Sequence, residues 1–127
     1  MTQVILVIDD EADFTFFVKK NLEATGQYQV VVCNDGAQGV QRARQHRPDA
    51  ILLDVMMPGM PGEEVVNELK KHKETERIPV VFLTALVRPD ETAQSSNLIG
   101  GHRFIAKPVK ISELTALLRS VTAAPRA

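Results

Sequence analysis

Residues 50–62, AILLDVMMPGMPG, join a short apolar run to a loop rich in proline and glycine. The run at 50–53 is apolar throughout and bounded by turn residues, which is typical of a strand buried on both faces of a sheet. Asp54 stands where this strand ends, an uncommon place for a carboxylate. Two prolines and two glycines follow within 58–62, a combination that no helix or strand interior tolerates. We therefore expect Asp54 at the mouth of a tight loop.

The whole chain, 127 residues, has the length and composition of one domain with its own hydrophobic core. Hydrophobic residues make up 44% and the formal net charge is -1, which indicates neither disorder nor direct nucleic-acid binding. The single cysteine, Cys33, favours a reducing, cytoplasmic compartment. The N-terminal apolar run is too short for a membrane span and lacks a signal peptide's basic region, so we expect no membrane association. We assign residues 1–123 to the domain and 124–127 to a frayed tail.

Apolar runs and amphipathic segments alternate along the chain. Strand-like runs lie at residues 4–8, 28–33, 50–53, 80–83 and 104–106, and helix-like segments begin near residues 12, 37, 63, 89 and 111. The fourth helix-like segment, 89–98, has little apolar surface, so we expect it to be loosely held. Five strands alternating with five helices through short connections predict a doubly wound α/β fold, with helices on both faces of a parallel sheet.

Polar residues stand at the carboxyl ends of the predicted strands. They are Asp9 and Asp10 after the first strand, Asp54 after the third, Thr84 after the fourth and Lys107 after the fifth. Ligands of doubly wound sheets bind at this edge, where the strand order reverses. Three carboxylates in one cleft repel one another unless a cation lies between them. Because all the candidate ligands are oxygens, Mg²⁺ (or Mn²⁺) is favoured over Zn²⁺.

A magnesium ion held by acids suggests a phosphoryl group as its other ligand. Asp54 can then act as the nucleophile toward phosphorus and form an acyl phosphate. The metal and the Lys107 ammonium would neutralise the phosphoryl oxygens, and the Thr84 hydroxyl would donate a hydrogen bond. Ala85, which follows Thr84, is small enough to leave the site open to a donor and to water.

With these residues the chain resembles the receiver domains of two-component response regulators, the CheY-like phosphoacceptor domains served by histidine kinases. The matching pieces are Asp9-Asp10, DVMMPGMPG at 54–62, Thr84-Ala85 and FIAKP at 104–108. They are spread over nearly the whole chain, and together they are far more specific than any one alone. The resemblance implies a flavodoxin-like sheet of five parallel strands in the order 2-1-3-4-5.

The resemblance also implies a role for each matching position. Asp54 accepts the phosphoryl group and, with Asp9, Asp10 and the backbone carbonyl of Met56, holds the metal. Thr84 and Lys107 contact the phosphoryl oxygens, while Ala85 and Pro108 support the site, and the Lys107–Pro108 bond is often cis in relatives. Phe104 occupies the position of the switch aromatic, whose ring turns inward as the threonine hydroxyl moves toward phosphate.

Two positions depart from the family's usual pattern. Gly101-His102 stands where relatives commonly have Gly-Ala, and the switch position carries Phe104 rather than tyrosine. A phenylalanine ring can be buried without a hydrogen-bonding partner, but it cannot report its state through a hydroxyl. The departures therefore concern the switch and leave the predicted phosphorylation site intact.

The family implies a signalling function rather than sustained catalysis. The domain would take its phosphoryl group from a histidine kinase or histidine phosphotransfer protein, with at most magnesium-dependent self-phosphorylation and self-dephosphorylation. It would act on a downstream protein target by changing the surface of its fourth helix, fifth strand and fifth helix. We expect a monomer or a phosphorylation-dependent dimer. Since the sequence ends soon after the last predicted helix, output would come from a partner or a further domain outside it.

Each of these residues could also have a purely structural role. Taken singly, the acids at 9–11 could cap the first helix, Thr84 could bond to backbone, and Lys107 could be an ordinary solvated lysine. Asp54 is different, because no helix begins directly after it. Two further functions are possible: a constitutive binding module that needs no phosphorylation, and an aspartyl phosphatase like the haloacid dehalogenases. The second lacks the acid expected two residues after the nucleophile, where this chain has Met56.

Overall fold

The computed structural model describes residues 2–57, 59–84, 98–99 and 102–122, with backbone alone for residues 98, 99 and 102. Its strands are β1 (Gln3–Ile8), β2 (Tyr28–Cys33), β3 (Ala50–Asp54), β4 (Val80–Thr84), β5 (Leu98–Ile99) and β6 (His102–Ala106). Its helices are α1 (Ala12–Ala24), α2 (Gly36–His46), α3 (Gly62–Leu69) and α4 (Ile111–Thr122). The helix α4 is the fifth helix predicted from the sequence. Within this described part of the chain, none of the helices has the length and apolar character needed to cross a membrane.

The six strands form one sheet in the order β2-β1-β3-β4-β6-β5. Five of them, β1 to β4 and β6, pair in parallel, and β6 is the fifth strand predicted from the sequence. The predicted doubly wound fold and its 2-1-3-4-5 order are therefore confirmed.

The short strand β5 was not predicted, since Leu98 was expected to end the fourth helix. Leu98 and Ile99 instead pair antiparallel with β6. A run of two residues carries no readable periodicity, and here backbone pairing at the sheet edge determines the structure. The rest of the predicted fourth helix, 89–97, lies outside the described residues.

The strand β3 is buried along its whole length and contributes to two hydrophobic cores. Ala50 and Leu52 belong to the core on one face of the sheet, whereas Ile51 and Leu53 belong to the core on the other. The first core also contains apolar residues of α1 and α4, and the second contains residues of α2 and α3. Among the described helices, two therefore cover each face, as expected for a strand whose residues 50–53 are all apolar.

Most helix ends follow the sequence signals. The carboxylate of Asp35 accepts a hydrogen bond from the Ala37 N–H at 2.8 Å, so Asp35 caps the start of α2. Gly26 follows the end of α1 with φ of 77°, a left-handed conformation that favours glycine. Arg47 takes the same region at the end of α2, with φ of 45°.

The buried face of α1 does not consist of its apolar residues alone. Phe17 follows the helical spacing of the apolar residues in α1, but it is 41% exposed, and Thr15 is buried instead. The Thr15 hydroxyl donates to the Ala12 carbonyl at 3.0 Å and accepts from the Asn34 side-chain amide at 3.2 Å. These hydrogen bonds satisfy a polar side chain on the buried face of α1, which it shares with Val18 and Leu22.

The first residue of α3, Gly62, lies directly against the strand end that carries Asp54. A Cβ atom at Gly62 would be 2.9 Å from the Asp54 carbonyl oxygen and 3.1 Å from the Val55 Cα. Both are backbone atoms, which cannot turn aside as the end of a flexible side chain can. The absence of a side chain at Gly62 therefore allows α3 to begin close to Asp54.

Replacing Gly62 with alanine is expected to lower the free energy of unfolding by about 1–3 kcal/mol, the usual cost of overpacking. In an unobstructed helix the same change raises the free energy of unfolding by about 1 kcal/mol. The sign of the measured change therefore shows whether the backbone at Asp54 obstructs the new side chain. Urea denaturation measures the effect, with Asn67→Ala at an exposed position of the same helix as the control. A Gly62→Ala protein as stable as wild type would show that the backbone at Asp54 can move aside.

Candidate functional site

Polar side chains from three strand ends meet at the carboxyl edge of the sheet. Asp9 follows β1, Asp54 ends β3, and Lys107 follows β6. The backbone N–H of Lys107 donates to the Thr84 carbonyl at 2.8 Å, which fixes the residue beside the end of β4. Parallel pairing of neighbouring strands therefore brings residues far apart in sequence to one site.

The Lys107 ammonium lies among three carboxylates. Its Nζ atom is 2.6 Å from Asp9 Oδ2, 2.9 Å from Glu11 Oε1 and 3.8 Å from Asp54 Oδ2. It also lies over the ring of Phe14, 4.5 Å from the ring centroid. Burial alone would lower the pKa of Lys107, but its close contacts with Asp9 and Glu11 and the negative charges of Asp9 and Asp54 raise this pKa overall. The lysine therefore carries its positive charge at neutral pH.

Asp9 is completely buried, and its two oxygens have different partners. Oδ1 accepts the backbone N–H of Glu11 at 2.9 Å, which fixes the turn between β1 and α1. Oδ2 has the short contact with Lys107, but the angles of that contact are outside hydrogen-bond geometry. In the described part of the chain, Asp9 Oδ2 is thus a buried oxygen held by charge alone, with lone pairs available for a metal.

The carboxyl group of Asp54 resists ionisation. Burial, and then the negative charge of Asp9, raises the pKa of Asp54 from 3.8 to about 6. The backbone N–H of Met56, which donates to Asp54 Oδ1 at 3.2 Å, opposes this rise, and so does the Lys107 ammonium. A carboxylate that is costly to charge gains more than an ordinary one from a cation or from a bond to an electrophile.

The raised pKa of Asp54 predicts that stability falls as the pH rises from about 4 to about 6. In this window folded Asp54 still binds a proton that the unfolded chain has released, and this advantage disappears at higher pH. We expect Asp54→Asn to be stabilised relative to wild type at about pH 7 but not at about pH 4. Urea denaturation without divalent metal, at both pH values, measures this difference. A difference independent of pH would contradict it.

Three carboxylates provide oxygens that could hold a metal ion together. Oxygens of Asp9, Glu11 and Asp54 lie within 4.8 Å of one another. An all-oxygen set with a buried, weakly satisfied carboxylate fits a hard divalent cation such as Mg²⁺. The Lys107 ammonium already lies among these oxygens, so a metal and the lysine would share or compete for them.

The predicted ligands Asp10 and Met56 lie near this group but not in it. The side chain of Asp10 is exposed, although its charge is close enough to raise the pKa of Asp54. Met56 touches the Asp54 carboxylate through its N–H, and its residue is 63% exposed. Their roles as metal ligands stay predictions.

Glu11 is a charged residue of the described site that sequence reasoning missed. The run Asp9-Asp10-Glu11 suggested that Glu11 is one of the acids capping α1. It does occupy the position before α1, but its side chain makes no capping hydrogen bond there and instead contacts Lys107. Because these two residues are 96 positions apart, no local pattern indicates the pair.

The remaining predicted site residues flank the strand ends. Thr84 is buried at the end of β4, and the ring of Phe104 in β6 is 1% exposed. Phe104 pairs in register with Phe82, and it is part of the core that contains α2 and α3. Pro108 is exposed after a cis peptide bond. Ala85 lies outside the described residues.

Comparison with known protein families matches residues 5–119 to the response regulator receiver domain. Protein PilH of Pseudomonas aeruginosa is 32% identical over 119 residues, covering 94% of this chain and 97% of PilH. The alkaline phosphatase synthesis transcriptional regulatory protein PhoP of Bacillus subtilis is 35% identical over 122 residues, covering 95% of this chain but 49% of PhoP. The chain thus spans about half the length of PhoP and of other transcriptional regulators that it matches.

Solved structures give the same result for the fold. The receiver domain of the sensor histidine kinase PA1611 from Pseudomonas aeruginosa PAO1 matches with a TM-score of 0.82 and 28% identity, covering 98% of this chain and 100% of that domain. Its structure has a magnesium ion coordinated in the active-site cleft. The chemotaxis protein CheY4 of Vibrio cholerae matches with a TM-score of 0.80 and 27% identity, covering 95% of this chain and 99% of CheY4.

Proposed function

This chain belongs to the response regulator receiver domain family, and we propose that within it the chain is a phosphoacceptor switch with Asp54 as the acceptor. The observation that carries this proposal is the position of Asp54 at the end of β3, with Asp9 and the Lys107 ammonium beside it. The same arrangement gives a nucleophile, a metal ligand and a cation for phosphoryl oxygens. The donor would be a histidine kinase or a histidine phosphotransfer protein.

The transfer step needs little covalent chemistry from the protein. An Asp54 oxygen attacks the phosphorus atom of a phosphohistidine, and an oxygen–phosphorus bond forms as the nitrogen–phosphorus bond breaks. The bonding electron pair leaves with the imidazole nitrogen, which takes up a proton. Lys107, 3.8 Å from Asp54 Oδ2, needs only a small movement to contact the transferred group. Asp54 is mostly ionised above about pH 6, as the step requires.

We propose Mg²⁺, or Mn²⁺, as the cofactor, held by Asp9 and Asp54 with Asp10 and the Met56 carbonyl. When bound, the metal supplies positive charge that neutralises phosphoryl oxygens. Support for the two central ligands comes from the buried oxygen Asp9 Oδ2 and from an Asp9 oxygen and an Asp54 oxygen within 4.8 Å of each other. The magnesium ion in the related PA1611 domain is consistent with this assignment.

Phosphorylation would change the surface near β6. Thr84 pairs in register with Ala106, so a movement of the threonine toward a phosphoryl group would reach β6 directly. Phe104, two residues earlier in β6, is the proposed switch aromatic. We propose that the downstream target is a protein and that the domain makes no direct contact with nucleic acid or membrane. We also propose a cytoplasmic location, and either a monomer or a phosphorylation-dependent dimer.

The experiment that tests this function is exposure of the protein to a small phosphoramidate or acyl phosphate donor with Mg²⁺, followed by intact-mass measurement. We expect the added mass of one phosphoryl group, lost on treatment with hydroxylamine as an acyl phosphate should be. Removing divalent metal with a chelator should strongly slow the uptake. No adduct, or an adduct stable to hydroxylamine, would contradict an aspartyl phosphate.

The buried ring of Phe104 favours a second candidate, a constitutive interaction module. The ring already occupies the inward position that phosphorylation is proposed to produce, so the surface could be permanently competent for binding. Hydrogen exchange in β6 and α4, with and without the phosphoryl donor, distinguishes the two functions. Unchanged exchange in protein that carries the adduct would favour the constitutive module. The phosphatase alternative has no such support, since Met56 provides no second acid.

A further inference from the structure

The side chain of Glu11 is directed to a lysine rather than to its own helix. Glu11 stands at the N-terminal end of α1, where an acid commonly accepts a backbone N–H, but it makes no such bond. Its Oε1 atom is instead 2.9 Å from Lys107 Nζ. The side chain is 65% exposed, whereas that of Lys107 is 12% exposed, so an accessible acid holds a largely enclosed ammonium.

The position of the ammonium is determined by three neighbours. Asp9 and Glu11 are both within hydrogen-bond distance of Nζ, and Asp54, at 3.8 Å, is not. The Phe14 ring lies on a further side of the same atom. In this resting position the lysine is drawn toward the start of α1 and away from the acceptor carboxylate.

Two acids, Asp9 and Glu11, hold Lys107. Once a metal ion is bound at the site, only Glu11 would still be available to hold the lysine. Asp9 is a proposed metal ligand, so metal binding would engage the oxygen that now faces the lysine. Glu11 is not in the proposed ligand set, and its exposed side chain can keep or release the ammonium without disturbing the core. The pair is also weak enough to open, as exposed ion pairs are.

We propose that Glu11 is a positioning residue that holds Lys107 in the resting position, so that the ammonium must leave Glu11 to contact a phosphoryl group on Asp54. This inference rests on the proposed function, since it concerns the lysine of the same acceptor site. Glu11 then restrains phosphorylation: the contact between Glu11 and Lys107 must be lost before the transition state is stabilised.

The test compares phosphorylation rates of wild type and Glu11→Gln with a small phosphoramidate donor and saturating Mg²⁺. We expect the variant to react about twofold to fivefold faster, the range that an exposed ion pair allows. Glu11→Asp keeps the charge but shortens the side chain by one methylene, so it too should react faster. Asp13→Asn removes an exposed acid in the first turn of α1 and should react like wild type.

A second measurement follows the lysine itself, without any phosphoryl donor. Nitrogen-detected NMR observes a side-chain ammonium when hydrogen bonds slow its exchange with water, so the Lys107 signal should weaken in Glu11→Gln and persist in Asp13→Asn. An unchanged signal would overturn the inference. So would a Glu11→Asp protein with the wild-type rate, because the effect would then be one of charge alone.

These results also separate the inference from the proposed function. If wild type forms the adduct and Glu11→Gln reacts at the same rate, only the role of Glu11 is overturned. If wild type forms no adduct, the phosphoacceptor function fails, and the role of Glu11 fails with it.

Discussion

Asp54→Asn protein is expected to take up no phosphoryl group under conditions in which wild type takes one. An amide is not a nucleophile toward phosphorus, and asparagine keeps the shape of the side chain. No neighbour is suited to replace it, because Asp9 is buried against Lys107 and Asp10 is a solvated side chain. The expected loss is complete, which makes it the largest effect on activity.

The same variant should remain folded. The raised pKa of Asp54 means that its charge is a cost to the folded state above about pH 6, and asparagine removes this cost. Intact mass measures the adduct, and circular dichroism with urea measures the fold. The control is Asp13→Asn, which makes the same chemical change at an exposed position of α1 and should keep full uptake. An adduct that persists in Asp54→Asn would show that another residue is the acceptor.

Lys107→Met is expected to cause the largest loss of stability, about 3 kcal/mol. Methionine fills much of the same space, but it leaves Asp9, Glu11 and Asp54 without the cation that lies among them. The cost falls mainly on Asp9, which is completely buried and cannot be solvated in place. Breaking a buried ion pair by removing one partner is costly for this reason.

Added Mg²⁺ should partly restore the lost stability of Lys107→Met, because a metal ion would supply the missing positive charge. We expect Mg²⁺ to raise the melting temperature of the variant more than that of wild type. Thermal unfolding with and without the metal measures this, and Lys110→Met, an exposed lysine three residues further on, is the control. Equal metal dependence in the variant and wild type would show that the lysine and the metal do not share these oxygens.

The fold was predictable because its signals are local. Apolar runs gave the five parallel strands, and β2 was predicted with its observed limits, Tyr28–Cys33. The position of Asp54 followed from the end of β3 and from the proline and glycine residues after it. The apolar periodicity of α1 was less reliable, because a buried threonine with two hydrogen bonds looks polar in the sequence.

The electrostatics of the site were less predictable than its position. The sequence placed three acids and a lysine at one sheet edge, but it could not show that Lys107 lies closer to Asp9 than to Asp54. Side-chain directions at the end of a strand depend on contacts between distant segments. The resting position of the lysine, and with it the part played by Glu11, therefore needed the structure.

The ion pair between Glu11 and Lys107 joins residues 96 positions apart, and this separation has a consequence for folding. Closing so long a loop costs entropy, so the contact forms only once β1, β3, β4 and β6 already lie side by side. Before that point, Asp54 is an ordinary solvated aspartate with neither its lysine nor its neighbouring acid. If Asp54 is the acceptor, as proposed, a newly made or partly unfolded chain carries it without the neighbours that make it reactive, and only completely folded molecules would be phosphorylated.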